Sequence, residues 1–191
     1  MRKWQRVALT AALIAATAGG VAFAGVAANA KPATTQSAGR PAIASSHGRG
    51  SVAANIRLVE TFLHDVLDGH HGDHAAGYLT KDAQFHAGTV GNFTGRATVA
   101  GVLAGIVAAV PDLHANVQDI FGHGDEVVVR LVVTGTQEGP LLGIPATGRH
   151  LRWDAIDLYR LKGGKISQEW ASEDLTAILN DTGTFKAPWI P

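Results

Sequence analysis

"GRHLRWDAIDLYRL", residues 148–161, alternates with the period of a β-strand. In a strand, successive side chains point to opposite faces. Leu151, Trp153, Ala155, Asp157, Tyr159 and Leu161 then share one face, and all but Asp157 are apolar or aromatic. The opposite face carries Arg152, Asp154 and Arg160 beside Ile156 and Leu158, the mixture of a partly solvated surface. Asp157 is a carboxylate set into the more apolar face of its own strand.

Working outward, "HANVQDIF", "EVVVRLVVTGTQ" and "KISQEWASED" have the same period of two. The separators "GHGD", "EGPLLGIPATGR" and "KGGK" have turn composition. The chain before them is helical in pattern. "ANIRLVETFLHDVLDG" places Ile56, Val59, Phe62, Leu63, Val66 and Leu67 at helical spacing, with Gly69 able to end the helix. "GDHAAGYL" adds a short second helix from near Asp73. "GRATVAGVLAGIVAAV" offers Val99, Leu103, Ile106 and Val110 for a third, stopped by Pro111. Helices first and hairpin-linked strands afterwards predict an α+β domain: a cone-shaped, curved antiparallel sheet wrapped by about three helices. Such a sheet encloses a pocket, and ligand pockets are mostly apolar with a few placed polar groups. Asp157 fits that description.

The 191 residues suit one domain with appendages. Sixteen basic and sixteen acidic residues balance, which gives nucleic acid no electrostatic footprint. With no cysteine, disulfides, a thiol nucleophile and a lipoprotein anchor are excluded. Residues 1–30 read as a signal peptide: Arg2, Lys3 and Arg6 precede an uncharged, Ala-rich run ending at Ala28-Asn29-Ala30, with cleavage expected after Ala30. Ala22-Phe23-Ala24 is a second candidate site, and an uncleaved membrane anchor is the alternative. Residues 31–50, rich in Pro, Ser, Gly, Thr and Ala, read as a flexible linker. The folded domain is expected over 51–187 in a secreted or periplasmic bacterial protein, touching a membrane only through its N-terminal segment.

A carboxylate with an apolar wall beside it has the raised pKa that suits removal of a proton next to a carbonyl. The competing reading of Asp157 is an ion pair with Arg130 or Arg149. Trp153 and Tyr159 share its face, and Tyr159 is placed either to donate to a carbonyl or to fill the core. "HDVLDGHHGDH" collects His64, His70, His71 and His74 with Asp65, Asp68 and Asp73. Lacking an H-E-x-x-H pattern, it reads as a solvated turn, and no metal is expected. No phosphate-cradling glycine loop or G-x-S-x-G elbow occurs, so nucleotide-dependent chemistry and serine hydrolysis are unsupported.

Several pieces occur in a particular order: Pro111-Asp112-Leu113, Gly124-Asp125, Arg130, Thr134-Gly135-Thr136, Gly143-Ile144-Pro145, Thr147-Gly148-Arg149, Ile156-Asp157, Tyr159-Arg160, Gly164-Lys165-Ile166 and Trp170. In this the chain resembles the SnoaL-like polyketide cyclase and ester cyclase family. The resemblance implies the conical α+β barrel of the nuclear-transport-factor-like superfamily, which also holds ketosteroid isomerase and epoxide hydrolases. It implies ring closure by intramolecular aldol condensation without a cofactor, and a homodimer formed through the open sheet face. Asp157 matches the family's general acid/base. His86, in "QFHAG", stands where the family tends to have a histidine and is the expected catalytic helper. Two positions depart from the family pattern: Gln137 replaces a histidine in TGTHTG, and Glu169 replaces one in E-H-W. Gln137 can orient an oxygen but cannot shuttle a proton. Gln137, Trp153, Tyr159, Glu169 and Trp170 complete the expected substrate-binding set. The function expected is acid/base chemistry on a small hydrophobic carbonyl compound, aldol-type cyclisation or isomerisation. The alternative is a secreted domain of the same fold that binds a small molecule without catalysis.

Overall fold

A computed structural model describes residues 51–190; the expected signal peptide and the expected linker lie outside the described residues. Four strands fall where alternation places them: β3 (His114–His123), β4 (Glu126–Thr136), β5 (His150–Lys162) and β6 (Lys165–Glu173). Consecutive strands pair antiparallel, with Val129 opposite Asp157 and Asp157 opposite Ala171. Two further strands, β1 (Leu79–His86) and β2 (Asn92–Thr94), extend the sheet in the order β2-β1-β6-β5-β4-β3. The expectation of an antiparallel sheet needs one amendment, because β1 and β6 run parallel. They are joined through a helix and the β3–β6 meander rather than by a hairpin, so nothing forces opposite directions.

Helix α1 (Val52–Phe62) starts at Ser51, whose Oγ accepts the Ala54 amide hydrogen at 3.1 Å. Its apolar stripe of Val59, Phe62, Leu63 and Val66 is buried on the concave side of the sheet. Past Phe62 the hydrogen bonding widens to a π-helix over Leu63–Asp68, a change that apolar spacing does not announce. The short α2 (Ala75–Tyr78) follows, then α3 (Arg96–Ala109), which buries Val99, Leu103 and Val107. Helix α4 (Leu175–Asp181), unforeseen in the sequence, is capped by the Asp174 carboxylate accepting from the Ala177 amide at 3.0 Å. Each fully buried Leu, Val or Phe contributes about 1.5–3 kcal/mol. Among the described residues, no helix is long and apolar enough to cross a membrane.

Candidate active site

All six residues of the quoted β5 face, Leu151 through Leu161, are buried, while Arg152, Asp154 and Ile156 are exposed. The inner face of β4 beside it is Val127, Val129, Leu131 and Val133, all buried. With α1, α3 and α4 over it, this concave surface encloses a cavity of about 340 Å³. Phe62, Leu103, Ile106, Leu131, Val133 and Ile178 supply much of its apolar wall. The polar groups lie on two adjacent strands: Asp157 and Tyr159 from β5, Glu169 and Glu173 from β6, with the Trp153 indole beside them.

Register explains the grouping. Glu169 is directly opposite Tyr159, Ala171 opposite Asp157, and Glu173 opposite Ala155. Asp157 is therefore diagonal to both glutamates on one face, within reach of long side chains. Tyr159 and Asp157 are 1 % and 3 % exposed, and among the described residues no lysine, arginine or histidine lines the cavity. The Tyr159 hydroxyl points to Asp157 Oδ2 at 3.4 Å, a long and weak contact. Trp153 Nε1 donates to Glu173 Oε2 at 2.5 Å. Asp157 Oδ1 and Glu169 Oε2 are buried without a protein hydrogen-bond partner, which is the condition of groups available to a ligand.

Three acids in an apolar, cation-free cavity cannot all ionise. Burial holds the Asp157 carboxyl well above the usual range, and the charges of Glu173 and Glu169 add to the effect. Burial, reinforced by Glu173, pushes Glu169 up to about 8. Glu173 is also raised by burial, against the pull of the Trp153 hydrogen bond. Burial likewise raises the Tyr159 hydroxyl well above its ordinary range, so it stays a neutral donor. The three carboxyls titrate as a set, and at neutral pH the cavity retains protons.

The residues expected at the site divide cleanly. Asp157, Trp153, Tyr159 and Glu169 meet in the cavity; His86, Trp170 and Gln137 are elsewhere. No ion pair to Arg130 or Arg149 exists: Arg130 Nη2 lies 2.7 Å from Asp119 on the outer surface. His86, the expected catalytic helper, is not among the residues that line the cavity. In β1 it is Phe85 that points inward, and His86 stacks on Trp170 across the outer face, with ring centroids 5.1 Å apart. Its Nδ1 is engaged by Asn92 Oδ1 at 2.9 Å. Arg160 covers Trp170 at 5.0 Å, so this tryptophan is not a cavity residue either. Gln137 is fully buried, but as a clamp on the 138–147 loop: Nε2 donates to the Gly139, Ile144 and Pro145 carbonyls, and Oε1 accepts from Thr147.

Glu173 was not anticipated. The signal was present in the period of two from Glu169 through Ala171, but "SED" at the strand end reads as solvated.

The family described as SnoaL-like polyketide cyclase matches residues 57–182. No curated protein matches the chain. Among solved structures, a protein of the SnoaL-like polyketide cyclase type from Jannaschia sp. CCS1 is 21 % identical with a TM-score of 0.65, covering 74 % of this chain and 100 % of that one. TsrD from Streptomyces laurentii is 27 % identical with a TM-score of 0.62, covering 70 % and 97 %. An LEH-like epoxide hydrolase from M. tuberculosis, 16 % identical with a TM-score of 0.57, covers 71 % and 93 % and shares the fold.

Proposed function

The chain belongs to the SnoaL-like polyketide cyclase family, and from that premise we propose a cofactor-independent acid/base enzyme acting on a small hydrophobic carbonyl compound. The observation that carries this reading is Asp157, buried in an apolar cavity with no cation and diagonal to two further acids. Ionised, Asp157 takes a proton from the carbon beside a carbonyl. A neighbouring carboxylic acid, or the Tyr159 hydroxyl, donates to the carbonyl oxygen as charge develops there. In an aldol-type closure the enolate carbon then bonds to a second carbonyl carbon of the same molecule, and the new alkoxide takes a proton from the acid partner. In an isomerisation the proton returns at another carbon. A carboxylate destabilised by burial is the stronger base, and positioned proton transfer typically contributes about 10²–10⁴-fold.

One observation favours a second reading, binding without turnover: Glu169, pushed up to about 8 by burial, keeps its proton at neutral pH and is a hydrogen-bond donor for a carbonyl. The two readings differ in sign with pH. Base catalysis rises as the pH climbs and Asp157, held protonated well above the usual carboxylate range by burial, ionises; donor-only binding falls over the same interval.

The test needs no knowledge of the natural product. Apolar cyclic ketones incubated in heavy water exchange their α-hydrogens if a base attacks them, and mass spectrometry reads the exchange. Wild type should accelerate it, and Asp157→Asn should lose about a hundredfold or more of that acceleration. Asn keeps the volume and removes a like charge from the trio, so the thermal midpoint should stay the same or rise. Ketones that bind without exchange, or an Asp157→Asn protein as active as wild type, would end the catalytic reading. A large fall in melting temperature would assign Asp157 to structure.

Two further parts of the proposal concern the surroundings of the domain. Arg2, Lys3 and Arg6 ahead of the Ala-rich run support export, and intact mass of the secreted protein should correspond to a chain beginning at Lys31. Phe121 and Ile156, 60 % and 54 % exposed on the outer sheet face, support a homodimer through that face. Light scattering at micromolar concentration should return the dimer mass, and a monomer mass would retire the idea.

A further inference from the structure

The turn after α1 is better ordered than its polar composition suggests. Gly69 folds back so tightly that a Cβ there would lie 2.6 Å from the Asp65 carbonyl oxygen and 3.2 Å from His71 Nδ1. His70, at φ 58°, places Nε2 2.8 Å from the Leu113 carbonyl oxygen. Gly72 seats the turn on α3, where an added Cβ would meet Ala104 Cα at 2.7 Å. These anchors hold two imidazoles over one carboxylate. His71 Nδ1 is 2.8 Å and His74 Nδ1 3.1 Å from the same oxygen, Asp65 Oδ1.

We propose that Asp65, His71 and His74 form a binding site for a divalent transition-metal ion of the zinc, copper or nickel class. All three donor atoms lie within 4.8 Å of one another. In a tetrahedral site with metal–ligand bonds of about 2.0–2.2 Å, neighbouring donors are separated by about 3.3–3.5 Å. The two imidazole–carboxylate separations fall a few tenths of an ångström short of that edge, so side-chain adjustment suffices. Two neutral imidazoles and one carboxylate match the preference of these ions, whereas calcium and magnesium prefer oxygen throughout. Ligating carboxylates are usually oriented by a further hydrogen bond. Here the Tyr78 hydroxyl donates to Asp65 Oδ2 at 2.7 Å. The imidazoles are 54 % and 51 % exposed, which leaves the remaining coordination positions to water. Tyr78 meets Phe62 edge-on at 5.6 Å, and Phe62 meets Tyr159 at 6.0 Å. An ion would thus tie the surface turn to the cavity wall. The site stands independently of the acid/base reading.

The experiment uses the full chain without an affinity tag, freed of metal by chelation and titrated with zinc and with nickel in a calorimeter. One ion per chain should bind saturably, with no response to magnesium. At a hundredfold excess over the dissociation constant, the thermal midpoint should rise by about 5–10 °C. His71→Ala with His74→Ala should weaken binding at least a hundredfold, and Tyr78→Phe by about tenfold or more. His64→Ala and His114→Ala should bind like wild type. Nitrogen-15 spectra of the histidines offer a reading that needs no variant: zinc should displace the Nδ1 signals of two residues. Uptake undiminished in the double variant, no saturation up to about millimolar zinc, or displacement of histidine signals other than those of His71 and His74 would each overturn the site.

Discussion

The two faces of the central sheet treat the same functional group in opposite ways. On the outer face, Glu126 lies 2.6 Å from Arg160, Asp119 2.7 Å from Arg130, and Asp154 3.6 Å from Arg152. On the inner face Asp157, Glu169 and Glu173 share a cavity that no basic side chain lines among the described residues. Two acids of β5 fall into the two classes, because alternation sends Asp154 outward and Asp157 inward. Outside, carboxylates have water and guanidinium. Inside they have only each other, and burial turns a surface acid into a proton-retaining group. A strand's phase decides the chemistry of its acids.

The largest expected consequence is a dependence of stability on pH. Burial raises Glu169 from 4.5 to about 8 in the folded chain. A carboxyl raised on folding binds more protons in the native state, so its contribution is fully present below about 4.5 and lost as pH rises through about 8. At about 1.4 kcal/mol per pKa unit, the difference is on the order of 4–5 kcal/mol, shared with its coupled neighbours. Urea titrations from pH 5 to pH 9 should show stability declining toward the alkaline end. Glu169→Gln should flatten that decline and exceed wild type at pH 9. A wild-type stability that does not change over this interval would contradict the proton-retaining cavity.

Trp153 sharpens the contrast from within the cavity. Its indole donates to Glu173. Trp153→Phe keeps an aromatic ring, removes the donor and raises Glu173 further. Loss of one partner from a buried hydrogen bond costs about 1–3 kcal/mol. The cost should be larger at pH 9 than at pH 5, since the indole favours the ionised carboxylate. An equal cost at both pH values would show that Trp153 acts through packing alone.

Much of this was legible in the sequence, for a physical reason. Strands with one apolar face carry their register in their pattern, so β3 to β6, and Asp157 as an inward residue, could be read directly. Where the pattern is broken, so was the reading. In β1, Lys81 and Asp82 are both exposed and the pairing with β6 shifts between Leu79 and Gln84, which hides the phase that sends Phe85 inward and His86 outward. The π-helical turn rotates Asp65 toward histidines that come six and nine residues later, and no periodicity encodes that. Glu173 was hidden at a strand end beside Asp174. Gln137 stands at a motif position, but its role depends on a loop conformation that fills its hydrogen bonds with backbone carbonyls.

The smallest effect belongs to the outer face. Asp119 and Arg130 form two contacts, Nε at 2.8 Å and Nη2 at 2.7 Å, which is favourable geometry. Their side chains are nevertheless 60 % and 50 % exposed, so water and salt screen the attraction and both chains lose rotamer freedom in making it. Such pairs contribute about 0.2–1 kcal/mol. Asp119→Ala should therefore lower stability by no more than about 1 kcal/mol, with no change in the pH dependence that the inner acids impose and with a smaller effect in 1 M salt. The measurement is a pair of urea titrations, at low and high ionic strength, on the chain held monomeric by dilution. A loss above about 2 kcal/mol would mean that water does not reach this pair, as it would not if the outer face were covered in a dimer. The same variant should then weaken association, and sedimentation at several concentrations would separate a buried interface pair from a solvated one.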